Sequence, residues 1–408
     1  MATLKPFRAL RPSGRSAAEV SAVPYDVVST AEARSLASGH PLSFLHVSRA
    51  EIDLPDGTDP YADAVYAKAA ENFEKLKRSA PLAAEESPSL YVYRLRMGRH
   101  EQNGVAGCSS LQEYDRDVVR KHERTRKDKE DDRTRHMLTL KAQTGPVFLT
   151  YRDSPDIDAL VAAAKKETPI FDFTAPDGVG HTLWRLSAQA TREMESAFAS
   201  VPLFYIADGH HRAASAARAR DQLRSAQTRP ADAADYNRFL TVLFPASQVR
   251  ILPYNRVVKD LGLRSKDEFL EELRRRFGLR EGAPPSPAQK GAVSVYLGGR
   301  WYGITLPKAE GKNPIEALDA HLLERHVLDD LLGIKDIRTD KRIDFVGGIR
   351  GTQELEKLVD SGAFAVAFSM YPVSVEELMK ISDKGQIMPP KSTWFEPKLR
   401  DGLLIHEI

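Results

Sequence analysis

Residues 203–212 read Leu-Phe-Tyr-Ile-Ala-Asp-Gly-His-His-Arg, the clearest local pattern in the chain. Its first five residues form a continuous apolar run, which is typical of a buried strand. Gly209 lets the backbone turn tightly, and the Ala-rich segment that follows predicts a helix starting near His210. The stretch therefore predicts a buried strand that leads through one tight turn directly into a helix.

On both sides of this stretch, strands alternate with helices in no regular repeat. Apolar runs predict strands at 44–47, 90–95, 105–111, 143–151, 170–173, 181–186 and 239–244. Apolar residues at three- and four-residue steps predict a helix over 61–78, and further helices are expected at 30–36 and 189–200. We expect an α+β (mixed α/β) fold rather than a repeating βαβ barrel.

The length predicts more than one domain. The chain has 408 residues, which at about 150 residues per domain suggests two or three. Residues 281–290, rich in Pro and Ala, are the best candidate for a linker or long loop. We expect a phosphate- or nucleotide-binding core over 1–250, and a C-terminal α/β region over 251–408 that is a separate domain or completes the site.

The composition excludes several classes of protein. Lys and Arg number 59 and Asp and Glu 57, so the formal charge is +2, which argues against bulk-charge binding to nucleic acid. Cys108 is the one cysteine, which excludes an internal disulfide and fits a reducing compartment. No window approaches 18 consecutive apolar residues, so no membrane span is expected. We expect an unprocessed cytoplasmic protein.

The turn after the buried strand has the chemistry of an anion site. The N-terminus of the following helix directs N–H groups and the positive end of its dipole at the turn. His210, His211 and Arg212 add cationic donors, and Gly209 allows close approach of a ligand, most simply a phosphate. Asp208 can hold a metal, act as a base, or cap the helix.

Two further clusters carry candidate residues. The segment from Asp115 to Arg135 is densely charged and predicts a solvated helix with ion pairs, in which His122 and Glu123 could act as acid or base and Thr125 could contact phosphate. Near the C-terminus, Lys391, Ser392 and Thr393 could contact a phosphate, although the glycines of a P-loop are absent. The alternative is a turn packed by Trp394 and Phe395. Asp26 is either a site carboxylate or a turn residue.

Five separated motifs resemble those of the bacterial domain-of-unknown-function family 1015. They are 23–29 (Val-Pro-Tyr-Asp-Val-Val-Ser), 122–125, 207–212, 252–258 and 388–398, in the family's order across nearly the whole chain. Asn255 stands where the family usually has His, and Ala213 where it has an aromatic residue. The turn at 208–212 also resembles a shorter motif of the ParB/sulfiredoxin superfamily. That likeness implies a ParB/sulfiredoxin-like core with added N- and C-terminal α/β elements.

The resemblance implies a nucleotide-binding phosphotransferase, because in that superfamily the turn binds nucleotide phosphates and some members are free-serine kinases. The leading hypothesis is a kinase using ATP or ADP and Mg²⁺, with a small amino-acid-like substrate such as serine. Asp26 or Glu123 would accept the proton of the attacking hydroxyl. The alternatives are a phosphatase for a small phosphoester such as phosphoserine, and a non-catalytic nucleotide-binding regulator or DNA-binding ParB-like protein. Nucleic acid and membranes are not expected partners.

Overall fold

The computed structural model describes residues 1–79, 82–226, 231–309, 311 and 313–408. The described chain has an α+β fold and divides into two compact units. The first unit comprises Met1–Lys121, Thr125–Val249 and Pro397–Ile408, and the second His122–Arg124 and Arg250–Glu396. The two units are therefore not separated by a single cut at residue 250, because two short segments belong to the other unit. The last twelve residues belong to the first unit, and His122–Arg124 to the second.

The first unit is built on a mixed sheet of nine strands in the described residues. Their order is Val119–Arg120, Phe204–Asp208, Val147–Tyr151, Arg238–Pro245, His100–Ser110, Tyr91–Met97, Val179–Arg185 and Phe171–Thr174, with Leu4–Lys5 also pairing with His100–Ser110. Two neighbouring pairs are parallel, Phe204–Asp208 with Val119–Arg120 and Arg238–Pro245 with Val147–Tyr151. The continuous apolar runs form interior strands because both faces of the sheet are covered there.

Helices and a smaller sheet complete the first unit. The helices are Ala17–Val20, Thr30–Ala37, Leu45–Ser48, Asp63–Ser79, Leu111–Asp115, Lys127–Leu140, Pro155–Ala164, Ala188–Phe198 and His210–Ser225. The smaller sheet joins Ala83–Ala84, Ala9–Arg11, Ile405–Glu407 and Ala142–Gln143. One hydrophobic core packs the helix His210–Ser225, through Ala213, Ala216 and Ala217, with Phe204 and Ile206. Small side chains on that helix let it lie close to the sheet.

The second unit is an antiparallel six-stranded sheet with helices. Its strands run in the order Arg280–Glu281, Arg300–Thr305, Ala292–Leu297, Val366–Met370, Tyr254–Val258 and Ile343–Gly347. A separate pair joins Arg250–Leu252 to Trp394–Glu396. The helices are Lys266–Phe277, Asp319–Leu323 continuing as the π-helix Glu324–Asp329, Gly351–Asp360 and Val375–Asp383. A core of apolar side chains including Phe269, Val295 and Phe368 lies within this unit.

Most sequence expectations for the elements are confirmed, and two are wrong. Residues 44–47, expected as a strand, lie mostly in the helix Leu45–Ser48, because so short an apolar run does not distinguish the two. The charged segment 115–135 is not one helix, since Val119–Arg120 pairs with the sheet and the helix begins at Lys127. Residues 282–290 form a long loop inside the second unit, so of the two expectations for this segment the long loop is confirmed and the linker between units is not. Among the described helices, none combines the length and apolar character of a membrane span.

Candidate functional site

The turn at Gly209 has the strand–turn–helix geometry expected from sequence. The strand Phe204–Asp208 ends there and the helix His210–Ser225 begins one residue later. Gly209 has a φ of 96°, in the left-handed region. A Cβ atom at Gly209 would lie 3.3 Å from Nε of Arg212 and 3.4 Å from Cα of Val147. The turn therefore needs glycine for both its conformation and its close packing.

Asp208 is held in place by the two cations that flank it. Its Oδ1 accepts a hydrogen bond of 3.0 Å from the Gly209 N–H. Its Oδ2 lies 3.2 Å from Nζ of Lys398 and 3.7 Å from Nη2 of Arg212. Burial alone would raise the pKa of the Asp208 carboxyl, but Lys398 and Arg212 hold it well below its usual range. Asp208 is therefore an ionised group that positions two cations, and Gly209 is the N-cap residue of the helix.

Arg212 is buried and its guanidinium is fixed from two sides. Its exposed fraction is 9%, and Nη1 donates to the Pro146 carbonyl. Burial would lower the pKa of Arg212, but Asp208 raises it above its usual value. Its Nε has no hydrogen-bond partner within the described residues. Arg212 is thus a buried, permanently charged side chain at the N-terminal turn of the helix, and its Nε–H donor is not used by any described residue.

The motif at 23–29 meets this turn through Asp401. The backbones of Ala22 and Asp401 form an isolated antiparallel bridge, and the Tyr25 N–H donates to the Asp401 carboxyl. Burial raises the pKa of Asp401 to about 7. The positive charge of Arg212 lowers this pKa, and the negative charge of Asp26 raises it. Asp26 is exposed, and its charge acts on both Arg212 and Asp401. Asp26 therefore lies within electrostatic range of Arg212 and Asp401.

A small cavity of about 40 Å³ lies beside Arg212. The polar side chains that line it include those of Tyr25, Ser48, Arg133, His136, Thr144, Arg212 and Asp401. Ser48 is buried and its Oγ, like Nε of Arg212, has no hydrogen-bond partner within the described ranges. Burial and then Arg133 lower the pKa of His136 to about 4, so its ring is neutral and Nε2 donates to the Val47 carbonyl. Polar groups with unused hydrogen-bonding capacity therefore line an interior space beside the turn.

The remaining predicted residues of the first unit are also tied to the turn. The Arg126 N–H donates to Nε2 of His211 at 3.1 Å, and the Thr125 hydroxyl donates to the Glu130 carboxylate. His210 is buried and begins the helix. One region of the first unit thus contains seven of the predicted residues: Asp26, Thr125, Asp208, Gly209, His210, His211 and Arg212.

The second unit holds the other predicted residues, His122, Glu123, Lys391, Ser392 and Thr393. The Met388 N–H donates to the His122 carbonyl at 2.8 Å, and the Thr393 hydroxyl lies 3.5 Å from Nε2 of His122. Two of the five motifs therefore meet in this unit. His122 and Glu123 lie outside any helix, which corrects the expected helical arrangement.

Lys391 lies in a tight turn of the second unit. It is exposed with a φ of 56°, and its Nζ is 5.5 Å from the centre of the Tyr254 ring. The Ser392 hydroxyl donates to the Pro389 carbonyl at 2.6 Å, so it stabilises the turn. Asn255, where the family usually has His, accepts a hydrogen bond from the Met370 N–H at 3.0 Å. Asn255 therefore stabilises the sheet of the second unit by holding the end of the strand Val366–Met370.

Sequence reasoning missed three residues of the first unit's site, Lys398, Asp401 and Arg133. Lys398 was the last residue of the quoted motif 388–398, so its position in that motif was the available signal. Asp401 follows it by three residues. Arg133 lies in a charge run expected to be solvated, yet its side chain is half-buried and its Nε donates to the buried Asp132 at 2.8 Å. These contacts join segments far apart in sequence, which local patterns do not reveal.

Comparisons with known proteins give one family and several distant solved structures. A conserved hypothetical protein from Pyrococcus furiosus is 15% identical, covering 74% of this chain and 94% of its own, with a TM-score of 0.35. A free serine kinase in complex with AMP is 14% identical, covering 74% and 92%, with a TM-score of 0.35. SbnI with a C-terminal truncation, from Staphylococcus aureus, is 11% identical, covering 72% and 85%, with a TM-score of 0.31. At these TM-scores the likenesses carry no functional argument.

No curated protein matches the chain. A family model described as "Protein of unknown function (DUF1015)" matches residues 4–321, more than three quarters of the sequence. The motifs at 23–29, 122–125, 207–212 and 252–258 fall within the matched range. The chain therefore belongs to the DUF1015 family.

Proposed function

We propose that the chain transfers a phosphoryl group from a nucleotide, ATP or ADP, to the hydroxyl of a small acceptor. Free serine is the acceptor that the sequence resemblance implies. The observation that carries the proposal is the turn at Gly209, where a helix N-terminus, Lys398 and Arg212 converge on one point. We also propose that the core of the chain has a ParB/sulfiredoxin-like fold.

The charges at this turn suit a phosphate. The first turn of a helix leaves backbone N–H groups without intrahelical acceptors, and the dipole adds about half a positive charge there. Lys398 and Arg212 together carry two positive charges against one on Asp208. Asp208 fixes where both cations lie, and the charge of the exposed Asp26 also reaches Arg212. Fixed cations of this kind stabilise the charge on a phosphoryl group during transfer.

Asp26 is the group in the first unit that we assign as proton acceptor. Its carboxylate is exposed, whereas both oxygens of Asp208 are occupied by the Gly209 N–H, Lys398 and Arg212. A base must reach the acceptor hydroxyl, which an exposed carboxylate beside the turn can do. His122 and Glu123 as acid or base, and Lys391, Ser392 and Thr393 as phosphate contacts, remain proposals for the second unit.

Mg²⁺ fits Asp26 better than Asp208 for the same reason, so metal ligand and proton acceptor are alternative roles for this one carboxylate. Mg²⁺ in such sites takes one or two carboxylates together with substrate phosphates and water. Asp26 has an exposed carboxylate, while the Asp208 carboxylate is held by two cations that oppose a third. When bound, the ion would offset the charge of the nucleotide phosphates.

The nucleotide site can be tested with Lys398→Met. We expect ATP with Mg²⁺, at about a hundred times its dissociation constant, to stabilise the wild type by about 2.7 kcal/mol in thermal unfolding. Lys398→Met removes a cation at the turn and should weaken nucleotide binding at least about tenfold, which is about 1.4 kcal/mol. The measurement is the nucleotide-induced shift in melting temperature across an ATP titration.

Lys165→Met is the matched control. Lys165 forms an ion pair of 2.7 Å with Glu101 in the same unit, so its replacement also removes one lysine–carboxylate ion pair. It should leave the ATP titration unchanged. Equal responses to ATP in wild type and Lys398→Met would exclude the turn as the nucleotide site. Stabilisation by O-phospho-L-serine without any nucleotide effect would favour the phosphatase instead.

A further inference from the structure

Lys398 and Asp401, two residues of the first unit's site, lie in a stretch of chain without regular structure. Residues 397–400 belong to no helix or strand, and Asp401 forms only an isolated β-bridge. The hydrogen bonds of a helix or sheet therefore do not fix the position of Lys398. Its ammonium nevertheless lies 3.2 Å from Oδ2 of Asp208. Side-chain contacts must hold this stretch in place, and Arg400 lies between the two site residues.

Arg400 is buried, and its guanidinium joins a histidine to a carboxylate. Its Nε donates to Nε2 of His181 at 3.1 Å, and its Nη2 donates to the Asp177 carboxylate. Since Nε2 of His181 accepts this bond, the ring proton is on Nδ1, which lies 2.9 Å from the Tyr93 hydroxyl. Burial and then Arg400 lower the pKa of His181, so the ring is neutral and Nε2 stays an acceptor.

The partners of Arg400 belong to the mixed sheet of the first unit. Tyr93 and His181 lie on neighbouring antiparallel strands, and both side chains are fully buried. The His181 ring also stacks on the ring of Phe173 in the next strand, with 5.4 Å between the ring centres. Arg400 therefore ties an irregular stretch of chain to side chains whose own positions are fixed by the sheet.

We propose that Arg400 and His181 are positioning residues, which hold Lys398 and Asp401 at the turn at Gly209. This inference rests on the proposed nucleotide site, because Lys398 is one of the two cations assigned to it. Arg400 is two residues from Lys398 and next to Asp401, so a displacement of its side chain moves the backbone that carries both. The effect of Arg400 on nucleotide binding therefore passes through Lys398.

The test is a double-mutant cycle on ATP binding, measured by titration calorimetry of the full chain with ATP and Mg²⁺ in the absence of serine. Arg400→Met should raise the dissociation constant for ATP about tenfold when Lys398 is present, and less than about twofold in the Lys398→Met background. Arg400→Lys, which keeps the charge opposite Asp177, should recover part of the affinity. Equal factors in the two backgrounds would mean that Arg400 does not act through Lys398, and would overturn the proposal.

Asp177→Asn and Asp172→Asn form a matched pair that carries the test if Arg400→Met does not fold. Both carboxylates are about half exposed and lie on the same hairpin. Asp177 pairs with Arg400, whereas Asp172 lies 3.6 Å from Arg94, which is outside the stretch 397–401. Asp177→Asn should weaken ATP binding about threefold, and Asp172→Asn should leave it unchanged.

The outcomes separate this inference from the proposed function. ATP binding to the wild type that neither Arg400→Met nor Asp177→Asn weakens would overturn the inference and leave the proposed function standing. A wild type that does not bind ATP would overturn both.

Discussion

Replacing Arg212 with methionine is expected to lower the free energy of unfolding by about 3–5 kcal/mol. Arg212 is buried beside Asp208 and Asp401, and its guanidinium lowers the pKa of both carboxyls. Its removal leaves buried carboxylates with less compensating charge and opens space around the helix N-terminus. Chemical denaturation at neutral pH measures the loss. The same variant should also lose the stabilisation by ATP.

Arg218→Met provides the control on the same helix. Arg218 is about one third exposed and pairs with Glu130 at 3.2 Å, so its loss should cost less than about 1 kcal/mol. Arg212→Lys keeps the charge but not the planar guanidinium, and should recover part of the stability. If Arg212→Met unfolded no more easily than Arg218→Met, the buried cation would not hold the turn together.

Asp401→Asn is expected to stabilise the protein at alkaline pH. Burial raises the pKa of Asp401 to about 7, whereas an unfolded aspartate titrates near 3.9. The folded state therefore holds a proton that the unfolded state has released, and stability falls as the pH rises from about 4 to about 7. Three pKa units correspond to about 4 kcal/mol, and asparagine avoids this cost while keeping an acceptor for the Tyr25 N–H.

The measurement is the free energy of unfolding of wild type and Asp401→Asn from pH 4 to pH 8. The difference between them should be small at pH 4 and grow to as much as about 4 kcal/mol at pH 8. Asp232→Asn, at a side chain that is 95% exposed, should show no such growth. A variant that is less stable than wild type at pH 8 would mean that the Asp401 carboxylate is ionised and stabilising.

The elements with clear local patterns were predictable from the sequence. The run 203–207 followed by Gly209 predicted the strand, turn and helix. The helix expected at 30–36 is Thr30–Ala37, capped by Ser29, whose Oγ accepts from the Glu32 N–H. The charged segment 115–135 was not predictable in the same way. Asp132 is buried there, accepting from the Tyr66 hydroxyl at 2.8 Å, and only tertiary contacts decide that a charged residue points inward.

The same limit applies to the site. Asp208 and Arg212 were predictable because the turn itself has anion-binding chemistry, and Asp26 because it lies in a recognisable motif. That Lys398 pairs with Asp208, 190 residues away, was not readable from either segment alone. Nor was the raised pKa of Asp401, which depends on how deeply the fold buries it. Sequence patterns identified the turn, and the fold supplied its partners.

Phosphorus NMR of the reaction products tests the central claim most directly. The full chain is incubated with ATP, Mg²⁺ and L-serine, with Lys398→Met and Lys165→Met in parallel. The account predicts ADP and O-phospho-L-serine in equal amounts, at a rate that Lys398→Met lowers and Lys165→Met does not. A parallel incubation contains ADP in place of ATP, with AMP as the expected nucleotide product. Consumption of neither nucleotide, or inorganic phosphate released at the same rate with and without serine, would contradict the account.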